Sequence, residues 1–63
     1  MQPHQERVVT EKQELDTKLE KLSAFIETET FQGLPSDEKD RLQRQHMHMD
    51  HYSTVLGERI AAF

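Results

Sequence analysis

The amino-acid sequence predicts an all-α protein, an antiparallel two-helix hairpin that assembles into a homo-oligomeric helical bundle. Three observations lead there. Two long stretches without chain breakers flank one cluster of turn residues. Both stretches repeat their apolar residues at heptad spacing, the period of helices packed side by side. The apolar surface they create is wider than two helices can cover between themselves.

The first helix is expected over about residues 5–28. This stretch lacks glycine and proline and is rich in Glu, Lys, Gln and Leu, all good helix formers. Val8, Leu15 and Leu22 are seven apart, as are Leu19 and Ile26. Together they form a stripe of alternating three- and four-residue steps, interrupted at Lys12.

A turn follows over residues 29–35, where Thr30 to Pro35 read TFQGLP. Gly33 can adopt a positive φ, and Pro35 disfavours helix in the residue before it. The second helix is expected over about residues 36–61, with Ser36 as N-cap and with Asp37 and Glu38 at the positive end of its dipole. Leu42, Met49, Leu56 and Phe63 are seven apart, and Gln45, Tyr52 and Arg59 fill the other seam position. Gly57 inside this helix costs about 1 kcal/mol relative to alanine. It implies either a closely packed neighbouring backbone or fraying beyond it.

Phe25, Phe31, Leu34, Val55 and Ile60 broaden the apolar surface past a simple seam. Self-association covers such a surface, and symmetric homo-oligomers are its usual form. The 63 residues make one domain, 1–63, at the lower limit of what folds without a metal, a disulfide or a partner. No cysteine is present, so disulfides and thiolate metal sites are excluded.

Hydrophobic residues make up 33% of the chain and the mean hydropathy is -0.90, with no apolar run near the length of a membrane span. Residues Met1–Val9 carry no signal-peptide core, so a cytoplasmic location is expected. The net charge of -4 argues against binding a DNA or RNA polymer through general electrostatics. A few cations gathered in one pocket can still hold a small anion.

The candidate functional residues are those that break the apolar pattern. Lys12, Gln45, Tyr52 and Arg59 fall on seam positions where Leu or Ile is expected. In an antiparallel hairpin closing at Gln32, residues whose numbers add to roughly 64 lie side by side. Lys12, Tyr52 and Arg59 then cluster at the open end with Glu11 adjacent, while Gln45 lies nearer the middle. Two readings compete. In the first, these residues fix register and oligomer state at some cost in stability. In the second, they bind a nucleotide: the Tyr52 ring stacks on a base, and Lys12 and Arg59 take phosphate oxygens. Glu11 and Gln45 then supply hydrogen bonds.

Other chemistry finds little support. His46, His48 and His51 form the tract HMHMDH with Asp50, and His48 and His51 are three apart on a helix. Neither His48 nor His51 falls on the expected seam and no carboxylate-rich shell is evident, so the tract reads as a solvated flank and no metal site is assigned. There is no nucleophile with a recognisable base, no glycine-rich phosphate loop and no HExxH. No enzyme and no cofactor are expected.

The runs RVVTEKQELDTKLEKLSAFI, F-x-x-L-P-S-D-E, RLQRQ and M-x-x-Y-S-x-V-L-x-E-R-I cover nearly the whole chain. They resemble small tailed-phage proteins related to a hypothetical protein of crAss-like phages. Glu11, Lys12, Gln45, Tyr52 and Arg59 are among the matching positions. The resemblance implies a phage accessory protein. In size and helical content the chain is also similar to the oligomeric sponges of the Sequestin and Lockin families. That likeness implies a protein that binds and hides a nucleotide signal of bacterial defences such as Thoeris or CBASS without cleaving it. A helical protein-interaction adaptor and a structural oligomerisation element remain as alternatives.

Overall fold

A computed structural model describes all residues from Met1 to Phe63. It contains helix α1 (Pro3–Ile26), a single turn α2 (Glu29–Gln32) and helix α3 (Ser36–Ala61). α1 and α3 pack as an antiparallel hairpin, giving a rod of 46 × 14 × 13 Å.

Proline opens α1. Pro3 occupies the first helical position, where its missing N–H would have had no intrahelical partner. The Gln5 side chain then accepts a hydrogen bond from the Gln2 N–H at 2.9 Å. The helix therefore begins two residues before the expected start at residue 5.

The connection is more ordered than a plain turn. Thr28 caps α2, its Oγ1 accepting from the Phe31 N–H at 3.2 Å and donating to the Phe25 carbonyl at 2.6 Å. This cap turns Phe31 inward, where it is buried and meets Phe25 edge-to-face with ring centroids 6.2 Å apart. The freedom of Gly33 goes unused, and one expectation is corrected here. Gly33 has φ -80°, because it closes α2 with right-handed geometry. Ser36 is not the N-cap; Pro35 holds that place with ψ 148°, and Ser36 is the first helical residue, without a side-chain cap.

The register of α3 is the main correction. Gln45, Tyr52 and Arg59 are exposed, and the second seam position belongs to His46, Ser53 and Ile60, one residue further on. Both choices alternate three- and four-residue steps with Leu42, Met49 and Leu56. The difference lies in the partners on α1, since Asp16 and Ser23 bond Ser53 and His46 across the seam. These polar side chains are thereby paired along the seam while Gln45, Tyr52 and Arg59 remain in solvent. The hairpin accordingly closes nearer Leu34 than Gln32.

The buried interior is thin. Val8, Phe31 and Leu56 form it with Ser53, and only Leu56 is wholly enclosed. Tyr52, Val55 and Phe63 are 44%, 49% and 45% exposed.

Candidate functional site

Lys12 enters the seam as the sequence indicated, but its ammonium is engaged there. Its Nζ donates to Asp16 Oδ2 at 2.7 Å, one helical turn along α1, and to Ser53 Oγ on α3 at 3.0 Å. The Ser53 hydroxyl in turn donates to Asp16 Oδ1. The three side chains close a ring in which both carboxylate oxygens are used. Hydrogen bonds from Lys12 and then Ser53 hold the Asp16 carboxyl below its ordinary pKa of 3.8. The Lys12 side chain remains 29% exposed and that of Asp16 44%.

Gly57 makes room for this arrangement. A Cβ there would stand 3.3 Å from Lys12 Cε. The close neighbour expected at this glycine is thus a lysine stem and not a backbone, and α3 continues past it to Ala61.

A second polar pair lies one heptad nearer the turn. Ser23 Oγ and His46 Nε2 are 2.6 Å apart across the same seam. With Ile26, Glu27 and Gln43 they line a shallow cleft of about 370 Å³. His46 is therefore part of the packed surface, whereas His48 and His51 are exposed. No cluster of three metal-ligating side chains is present. Sequence reasoning passed over Asp16, Ser23 and Ser53. Their signal was the matched seven-residue spacing of Asp16 with Ser23 and of His46 with Ser53.

The remaining candidates lie apart from the Lys12 ammonium. Gln45, Tyr52 and Arg59 recur every seven residues and so occupy one stripe of α3. Helical geometry puts that stripe and the Ser53–His46 stripe on opposite sides of the Met49–Leu56 line. On α1, Glu11 and Asp16 are likewise separated by the line through Lys12 and Leu15. Since Asp16 meets Ser53, Glu11 shares the side of Tyr52. Glu11 also borders a depression of about 430 Å³ with Pro3, Glu6, Arg7, Thr10 and Glu14, but all six residues belong to α1 and no second wall faces them. The expected convergence of Lys12, Tyr52 and Arg59 within one chain is thus corrected: the ammonium points to one side of the two-helix layer, Tyr52 and Arg59 to the other.

The Sequestin family profile matches residues 2–62. The chain belongs to the Sequestin family. No curated protein and no solved structure matches it. Sequestin proteins are of the sponge type, and membership supports an anti-defence role in which a nucleotide signal is sequestered. No helix is long and apolar enough to cross a membrane.

Proposed function

We propose that this Sequestin chain binds a nucleotide immune signal, a cyclic ADP-ribose isomer or a cyclic oligonucleotide, in the host-cell cytoplasm and holds it without cleavage. Family membership over residues 2–62 is the observation that carries this reading. The residues are suited to it. Tyr52 presents a half-exposed ring on which a base can stack. Arg59 lies two turns along the same stripe and can take two phosphate oxygens. Glu11 and Gln45 on that side offer hydrogen bonds to hydroxyls or a base edge. Lys12 supplies a cation from the other side of the layer.

Because these groups point to two sides, one chain cannot close them on one ligand. The proposed site is therefore shared between copies. The surface supports association. The chain exposes 4740 Å², against about 4,250 Å² for a compact folded protein of this mass. The side carrying Tyr52 also carries Leu22 and Phe25, which are covered only in part, as are Leu15 and Met49 on the dividing lines. A head-to-tail ring that packs this face against the Lys12 side of the next copy covers them and brings Tyr52 and Arg59 toward that copy's ammonium.

The test is stoichiometric capture. Protein incubated with the signal is separated from free ligand, denatured, and the released compound is identified by mass. Intact signal in a fixed ratio to protein is expected. A chemically altered product overturns sequestration in favour of an enzyme. The partly covered apolar side favours a second reading, a helical adaptor or structural oligomerisation element with no small-molecule ligand. Oligomerisation without nucleotide binding by calorimetry would favour it.

A further inference from the structure

Ser53 is the one polar residue in the buried interior, 7% exposed, at a seam position where leucine would bury more apolar surface. Its hydroxyl accepts from Lys12 and donates to Asp16, so neither half of the hydroxyl is idle. An ammonium has three N–H donors. Two are taken by Asp16 and Ser53, and the third is free on a side chain that still reaches solvent.

The surroundings favour an anion at that third donor. Both Asp16 oxygens already receive donors, which disperses the charge an approaching phosphate would meet. Gly57 leaves space beside Lys12 Cε, where a Cβ would stand 3.3 Å away, so the end of the stem can approach α3 with its ammonium bonded to Ser53. Without these contacts a lysine stem samples many rotamers, and a ligand must restrict them at its own cost. With them, the charge is in place before the ligand arrives.

We infer that Ser53 is a positioning residue: with Asp16 it fixes the Lys12 ammonium so that its remaining N–H meets one phosphate oxygen of the bound nucleotide. This rests on the reading above, in which Lys12 contacts the phosphate. Ser53 itself does not touch the ligand. Its effect on binding passes through Lys12, which separates it from a residue that merely keeps the helices in register.

A double-mutant cycle on the full-length chain tests this. Cyclic ADP-ribose, its ring-linkage isomers and a cyclic dinucleotide are titrated by calorimetry into the wild type, Ser53→Ala, Lys12→Met and the double variant. Methionine keeps the stem in the seam and removes only the charge. Circular dichroism and native mass are recorded for each. For the compound bound by the wild type, Ser53→Ala is expected to weaken Kd about 5-fold, the order of one lost hydrogen bond. In the Lys12→Met background the same change is expected to leave Kd unaltered. Equal losses in both backgrounds overturn the inference, because Ser53 then acts independently of the ammonium. No loss on Ser53→Ala, with Lys12→Met weakened, also overturns it and leaves the proposed site standing. Wild-type affinity in Lys12→Met removes Lys12 from the site itself, and absence of binding by the wild type sinks the nucleotide reading for these compounds; either result removes the inference as well.

Discussion

The Lys12 ammonium donates to Ser53 Oγ at 3.0 Å across the α1–α3 seam, so the charge at the helix–helix contact is bound to the opposite helix. It also bonds Asp16, whose carboxyl is held below the ordinary value of 3.8, first by the hydrogen bond from Lys12 and then by that from Ser53. A carboxyl whose folded pKa is depressed stabilises the fold above its unfolded pKa. That contribution is lost as the pH falls through the folded value. Asp16→Asn should therefore lower Tm at neutral pH, and the gap from the wild type should narrow in acid below pH 3.8. The effect is modest because Asp16 is 44% exposed. Thermal melts of both proteins across that range measure it, and a gap independent of pH would remove the carboxylate from the account.

Leu56 is fully enclosed in a chain with only three buried apolar side chains. Leu56→Ala should cost about 2–5 kcal/mol through lost burial and the cavity left behind. A protein of this length holds only a few kcal/mol in total. The variant is expected to lose most of its helical circular dichroism at room temperature. Retention of the wild-type Tm would mean that this contact does not organise the hairpin.

Gly57→Ala sets two effects against each other. Alanine in a helix interior gains up to about 1 kcal/mol over glycine. The added methyl meets Lys12 Cε at 3.3 Å, which requires the stem to yield by a few tenths of an ångström. A side-chain end can make that shift more cheaply than a backbone, so a small rise in Tm is expected. If Ser53 and Asp16 hold Lys12 too firmly to move, Tm falls instead.

The hairpin was legible in the sequence because glycine, proline and heptad spacing act locally. Its register was not. The stripes through Gln45, Tyr52 and Arg59 and through His46, Ser53 and Ile60 each alternate with Leu42, Met49 and Leu56, so periodicity permits both. The choice falls to Asp16 and Ser23 on the other helix, a tertiary pairing invisible in either helix alone. Lys12 was found from its own helix because it interrupts an apolar stripe. Ser53 was missed because a small residue near a seam resembles a solvated one until its partners are known.

Tyr52 and Arg59 separate ligand binding from folding more cleanly than Lys12 does, since Lys12 also bridges the two helices. Both are exposed in the chain and donate no side-chain hydrogen bond or ion pair to the hairpin. Changes at such positions usually shift stability by no more than about 0.5 kcal/mol. Loss of a base-stacking ring costs about 1–3 kcal/mol of binding. Tyr52→Ala should thus leave the helical signal and Tm close to wild type while weakening nucleotide binding roughly 5- to 150-fold. Arg59→Ala should weaken it as well, with a shallower dependence on salt because one phosphate contact is gone. Native mass spectrometry run alongside calorimetry decides between the readings. Unchanged oligomer mass with weakened binding supports a nucleotide site on this side of the layer. Dissociation of the oligomer would instead assign Tyr52 and Arg59 to holding copies together.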